Sequence, residues 1–410
     1  MQKLIGPITQ LLTLDNLLLK GALKDEKLEI LENAGILIEE ERILEVGSFL
    51  ELLKKAKALN AEIIELKGDF VALPGWIDCH THSCFGGTRA RDFAMRNAGK
   101  TYLEIAEAGG GIWDTVTQTR KLTETELANR AVENANRHLS EGVTTIEVKS
   151  GYGLTVEEEL KMLRAIKQAD QKTTADLIPT CLAAHMKPRD FEGTNAAYLE
   201  LIAQELFPIL KSESLTNRID SFIEKSAFSP EEIEPYYQKA KDQGFELTVH
   251  ADQFTAGGSK VAVKYGAKSA DHLEVSGEKE IELLAKSETI AVALPGASLG
   301  LGCAFTPARK ILDLGGSLAI GSDWNPGSAP MGDLVTQASI LATFEKLSTA
   351  EVLSALTFRS AAALDLEDRG KLKAGFLADF NLFPTENYQE ILYQQGKLKP
   401  EQVWKRGKKT

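Results

Sequence analysis

Asp78-Cys79-His80-Thr81-His82, at the end of the apolar run 70–77, is the stretch from which the rest of the chain can be read. On a β-strand, residues i and i+2 point to the same side, so these two imidazoles can grip one cation from a single face. Histidine is scarce, with six in 410 residues, and two of them fall in this one step. Cys79 has the opposite parity to His80, and it and Cys84 read as small buried thiols rather than ligands.

Outward from that step the chain alternates short apolar runs with longer amphipathic stretches. Strands are predicted at 76–79, 143–148, 177–184, 219–224, 245–249, 269–273, 290–294 and 318–321. The intervening helices carry start signals. Thr123 with Glu126 and Thr155 with Glu158 form capping boxes, and Ser229-Pro230 with Glu232 supplies an N-cap, a first-turn proline and an N3 acid. Gly244 can close that last helix, and Pro235 is a flaw within it. Eight strands with crossover helices predict an α/β fold, a (β/α)8 TIM-type barrel. No Gly-x-Gly-x-x-Gly follows any strand, which argues against a doubly wound open sheet.

The two ends have a different texture. The runs 35–38 and 43–46 flank a charged turn, a hairpin pattern, and the short apolar segments 371–372 and 376–383 are broken by Gly375. Neither end carries enough core to stand alone. The predicted organisation is a small β-sandwich domain built from both termini, 1–72 and 367–410, around a barrel at 73–366.

Composition bounds the function. A hydrophobic fraction of 43% can bury a large core, and a net charge of −12 argues against nucleic acid or an anionic membrane as partner. No run approaches the ~18 apolar residues of a membrane span, and the segment 1–15 lacks the apolar core and cleavage pattern of a signal peptide. The cysteines at 79, 84, 181 and 303 form no Cys-x-x-Cys pair, which fits reduced thiols in a cytoplasmic protein. The partner to expect is a small-molecule substrate, with a homodimer left open.

Barrel enzymes carry their active sites at the C-terminal ends of the strands. Here the first strand ends in His80 and His82, the third in His185, the fifth in His250 and the eighth in Asp323, while the sixth carries His272. Only His138 lies elsewhere, inside a helix. Three neutral imidazoles and a carboxylate with one open position form a hydrolytic metal site. Beyond it, Phe85-Gly86-Gly87-Thr88-Arg89 offers a guanidinium suited to a bidentate carboxylate. Lys149-Ser150-Gly151-Tyr152-Gly153 presents a phenol, Gly109-Gly110-Gly111 can let backbone approach a ligand, and Asn325-Pro326-Gly327-Ser328 can donate hydrogen bonds.

Pro74-Gly75-Trp76-Ile77-Asp78-Cys79-His80-Thr81-His82 resembles the first-strand motif of the amidohydrolase superfamily. The segments 85–89, 108–112, 147–154, 250–253, 270–273 and 323–328 resemble the imidazolonepropionase family in particular, and the likeness spans nearly the whole chain. It implies a metal-dependent cyclic amide hydrolase of histidine degradation that opens 4-imidazolone-5-propanoate to N-formimidoyl-L-glutamate. It makes His80, His82, His250 and Asp323 the ligands of one Zn2+ or Fe3+ ion. Arg89, Tyr102, Tyr152 and His185 would hold the substrate, with Gln253, Asn325, Gly327 and Ser328 completing the pocket and His272 beside the nucleophilic water.

Some members of the family have glutamate where this chain has Gln253. An amide cannot shuttle a proton, so the acid–base work is expected of Asp323 and His272. The same substitution argues against the alternative of an aminoheterocycle deaminase, which would use a glutamate there as its shuttle. Another cyclic amidohydrolase, of the two-metal kind, would want a bridging lysine at the fourth strand end, where Lys225 has no supporting motif. A metal-free scaffold protein would be expected to lose first-strand histidines or the eighth-strand aspartate, and all are present.

Overall fold

The chain begins with five strands, β1 (Gln2–Leu12), β2 (Ile30–Glu39), β3 (Arg42–Ser48), β4 (Glu62–Glu65) and β5 (Val71–Pro74). Eight more follow: β6 (Trp76–Asp78), β7 (Val143–Lys149), β8 (Asp176–Ala184), β9 (Arg218–Ser221), β10 (Glu246–Ala251), β11 (Ser269–His272), β12 (Ile290–Ala293) and β13 (Leu318–Ile320). Three short ones end it: β14 (Phe380–Phe383), β15 (Gln402–Lys405) and β16 (Lys408–Lys409). This computed structural model describes residues 2–410, with the side chains of Tyr102, Leu103 and Ala106 outside that description.

Strands β6 to β13 pair in chain order, every neighbouring pair parallel, with helices in each crossover. The ring closes just beyond the strand ends. There Thr81 bridges Trp324, the Asp323 N–H donates to the His80 carbonyl (3.0 Å), and the His82 N–H donates to the Trp324 carbonyl (2.9 Å). The expected (β/α)8 barrel is therefore the observed fold, and its seam is stitched by the residues that bear the first and last site side chains.

Local chemistry accounts for the helices. Thr123 and Glu126 form a reciprocal capping box ahead of the helix Glu124–Ser140, whose Leu127, Ala128, Ala131, Ala135 and Leu139 share a buried face. Ser229 and Glu232 do the same for Pro230–Asp242, which runs on through Pro235 with one backbone hydrogen bond fewer. The fourth barrel strand is shorter than its apolar run. Glu224 turns the chain away, because its carboxylate takes the N–H groups of Lys225, Phe254 and Thr255.

The remaining strands make one sheet in the order β16-β15-β14-β5-β1-β2-β3, with β4 on β1. β5 joins the two ends, running parallel to β1 and antiparallel to β14, so that Phe380 faces Pro74 and Phe383 faces Val71. The β2–β3 hairpin turns with Glu39 opposite Arg42. Ile5, Ile8, Ile36, Ile38, Phe380, Leu382 and Trp404 form its core. Each such side chain contributes roughly 1.5–3 kcal/mol by leaving water, and N- and C-terminal residues supply them jointly, so neither end could assemble this core alone.

Candidate metal centre

His80, His82 and His250 each present one ring nitrogen, and the three lie within 4.8 Å of one another. The Nε2 atoms of His82 and His250 are 3.1 Å apart. Asp323 Oδ1 lies 3.6 Å from His80 Nε2 and 3.5 Å from His82 Nε2. All four residues are buried. His80 and His82 ride on the extended chain that leaves β6, His250 sits within β10, and Asp323 follows β13 in a left-handed conformation, φ +50°.

A shell of carboxylates sets the orientation of two of these rings. His80 Nδ1 is 2.6 Å from Asp271 Oδ2, and His250 Nδ1 is 3.0 Å from Asp220 Oδ2. A carboxylate beside Nδ1 places the ring proton there and leaves a lone pair on Nε2. Burial holds His80 and His82 well below the usual imidazole range, and it brings His250 down to about 3 although Asp220 opposes it. Neutral rings with lone pairs turned inward are the form that ligates a cation.

Lys149 lies among these acids, 2.8 Å from Glu147, 2.9 Å from Asp220 and 3.8 Å from Asp271, and Arg218 Nε is 3.8 Å from Glu147. Among the described residues, with the His272–Glu274 pair counted as neutral, the carboxylates of Glu147, Asp220, Asp271 and Asp323 face the cations Lys149 and Arg218. That is an excess of two negative charges. Burial pushes Asp323 up to about 6 and Asp271 upward as well, the response of acids that a neighbouring cation would return to the ionised state. Donor set, tautomers and surplus negative charge together fit one metal cation.

Arg89, Tyr152, His185, Gln253, Asn325, Gly327 and Ser328 line one cavity of about 550 Å³ with His82, His250, His272 and Asp323. The Tyr102 side chain lies outside the described residues. His185 Nδ1–H donates to the Gly151 carbonyl (2.9 Å), and its ring stacks on His82 with centroids 5.6 Å apart. Gly151 has φ +105°, and a Cβ there would also meet Leu182 and His185 at 3.0–3.1 Å, which is why the loop needs glycine. Arg89 Nε donates to Asp92 Oδ2 (2.8 Å), which also accepts the Gly111 N–H (2.8 Å). The triple glycine thus lets backbone close on Asp92, since a Cβ on Gly110 would sit 2.2 Å from its Oδ1.

Two placements carry chemistry that their sequence positions do not show. Asn325 Nδ2 and Ser328 Oγ both donate to Asp323 Oδ2, at 2.9 and 3.2 Å, while Asn325 Oδ1 accepts the N–H groups of Gly327 and Ser328 at 2.7 and 2.8 Å. The turn clamps the aspartate as well as lining the cavity. Asp271 and His272, adjacent in sequence, do not pair with each other. Asp271 serves His80, whereas His272 Nδ1 lies 3.2 Å from Glu274 Oε1. Successive left-handed residues, His272 (φ +82°) and Leu273 (φ +70°), make that divergence. Burial disfavours a charged His272, but Glu274 and Asp323 outweigh it and leave the ring above its usual value.

Sequence reading missed Asp92, Asp220 and Glu274, and saw Lys149 only as the start of a loop. The available signal was parity: Glu147 and Lys149 share one face of an apolar strand whose other face buries Ile146 and Val148.

Comparison with known proteins gives a consistent picture. Residues 90–410 match the amidohydrolase family. The chain is 39% identical to the imidazolonepropionase of Bdellovibrio bacteriovorus, covering 99% of this chain and 96% of that one, and 38% identical to the imidazolonepropionase of Bacillus cytotoxicus, covering 98% and 95%. Among solved structures, atrazine chlorohydrolase from Arthrobacter aurescens TC1 complexed with zinc superposes with a TM-score of 0.74 at 18% identity, over 99% of this chain and 94% of that one. At that identity the likeness speaks for the fold.

Proposed function

The chain belongs to the amidohydrolase family, and within it to the imidazolonepropionases, and we propose that it hydrolyses 4-imidazolone-5-propanoate to N-formimidoyl-L-glutamate in histidine degradation. The observation that carries this reading at the site is that the three-histidine cluster opens, through His82 and His250, onto the cavity that Arg89 also lines. The first can activate water against a ring carbonyl, and the second suits a carboxylate tail.

His80, His82, His250 and Asp323 would hold one Zn2+ or Fe3+ ion per chain; both ions suit three imidazoles and a carboxylate. Such an ion supplies Lewis acidity, which makes water nucleophilic near neutral pH and polarises a carbonyl. Asp323, ionised beside that cation, accepts the proton of the attacking water. Its Oδ2 is steadied for that task by Asn325 and Ser328. His272 donates a hydrogen bond to the carbonyl oxygen as that oxygen gains charge, and Glu274 favours the protonated ring. The ring C–N bond then breaks, and Asp323 passes its proton to the departing nitrogen. Arg89, its Nε held by Asp92, binds the propanoate through its outer nitrogens with Tyr152, while His185 and Gln253 border the ring.

A cytoplasmic setting suits this chemistry. The four cysteines are free, and among the described residues no helix is long and apolar enough to cross a membrane. The decisive experiment is to incubate purified protein with freshly generated imidazolone propanoate and follow loss of its ultraviolet absorbance. Metal-replete protein that leaves this substrate intact while opening another cyclic amide would replace the substrate assignment.

A further inference from the structure

We propose that Lys149 is a positioning residue for the metal: its ammonium holds Asp220 and Asp271 where each steadies one ligand histidine, so that cation affinity depends on a side chain that touches neither metal nor substrate. The inference rests on the reading of His80 and His250 as ligands. Lys149 and the three acids around it are all fully buried within the barrel. The ammonium lies 2.9 Å from the Asp220 oxygen that is itself 3.0 Å from His250 Nδ1. It lies 3.8 Å from the Asp271 oxygen that is 2.6 Å from His80 Nδ1. One cation therefore stands behind two of the three imidazoles, which come from β10 and from the chain leaving β6.

The backbone at the same place supports the first-strand step. The Lys149 N–H donates to the carbonyl of Thr81, which stands between His80 and His82, and Thr81 Oγ1 donates to the Glu147 carbonyl (2.9 and 2.6 Å). A lysine suits this position because a compact ammonium can face three carboxylates at once, where the planar fork of arginine would favour one. Without it, Asp220 on β9 and Asp271 on β11, with only β10 between them, repel each other and Glu147 loses its nearest cation. The aspartates then have reason to leave the ring nitrogens they now orient. Loss of a carboxylate partner behind a ligand histidine weakens metal binding by about 10–100-fold.

The test uses Lys149→Met and the charge-balanced pair Glu147→Gln with Lys149→Met in the full-length protein. Zn2+ affinity is measured by competition with a chromophoric chelator, the rate of Zn2+ loss is measured in excess EDTA, and the Tm of the stripped protein is followed in parallel. Folded variants should bind Zn2+ about 10–100-fold more weakly than wild type and release it faster. A role confined to stability would lower the Tm of the stripped protein and leave Zn2+ affinity within twofold, which overturns the proposal alone. Failure of both variants to fold would assign Lys149 to structure and overturn it equally. Wild-type protein that takes up no Zn2+, Co2+ or iron would overturn the metal centre itself and this inference with it.

Discussion

Two ionic networks in this molecule differ in what closes them. At the junction of the barrel with the terminal sheet, Asp176 at the start of β8 meets Lys405 (2.8 Å), Arg406 (3.1 Å) and Arg369, while Asp379 takes Lys405 (2.6 Å) and the Arg406 N–H (2.7 Å). Three cations, Lys405, Arg406 and Arg369, hold these two carboxylates, and the arginines turn their remaining edges to Glu41 (3.0 Å) and Asp368 (3.1 Å). Burial works against ionised Asp176, yet Lys405, Arg369 and Arg406 hold it at about 2. The network inside the barrel is the reverse. Its acids exceed its cations, two of its acids are pushed upward, and its imidazole lone pairs face one another. A network closed by its own charges fastens two parts of a fold. One left with surplus carboxylate beside inward lone pairs is built around a cation from outside.

The sharpest break in that contrast would come from His82→Ala, which should abolish stoichiometric metal and activity together while the circular dichroism spectrum stays native. Elemental analysis that still finds one ion per chain would show that the barrel network closes without it. His272→Ala should lower kcat by roughly 10²–10⁴ with metal retained, the usual range for losing a positioned donor. Wild-type kcat across neutral pH would reduce His272 to a structural partner of Glu274. Arg89→Ala should cost about 2–5 kcal/mol in kcat/KM, again with full metal content. Near-normal steady-state kinetics would move the carboxylate anchor elsewhere in the cavity.

Lys405→Met should show the opposite phenotype. Removing one partner of a buried pair destabilises by about 3–5 kcal/mol, so the midpoint of denaturant unfolding should fall, while metal content and kcat per folded chain stay as in wild type. Weakened metal binding in that variant would mean the two networks are coupled. The smallest effect is a pH dependence. The folded value of Asp176 lies below its unfolded one, so the unfolded chain binds more protons in acid. Its contribution is complete above about pH 4 and is lost as the pH falls through about 2. After allowance for partial solvent screening it amounts to about 1–2 kcal/mol. Asp176→Asn should flatten the stability curve in that window, and an unchanged slope would remove Asp176 from the account.

Sequence by itself determined the barrel, the composite terminal sheet and most of the cavity lining, because each rests on a short-range pattern. Eight apolar runs alternate with capped helices, and five of six histidines sit at or beside the ends of those runs, so the common edge is legible once the strands are in order. The carboxylates behind the clustered histidines are not legible in this way. Asp271 serves His80 across 191 residues of chain, and its neighbour His272 turns away through two left-handed residues to Glu274. Nothing in the segment Ala270-Asp271-His272-Leu273 separates those fates. Asn325 and Ser328 were readable as donors but not as the clamp on Asp323, and Lys149 was readable as a loop boundary but not as the cation behind the aspartates of His80 and His250. The physical reason is range. Periodicity, capping and parity are set by neighbours a few residues apart, whereas the pairing of buried charges is decided only when ring closure brings distant strands within about 3–4 Å, where one carboxylate's choice of partner depends on every other charge in the barrel.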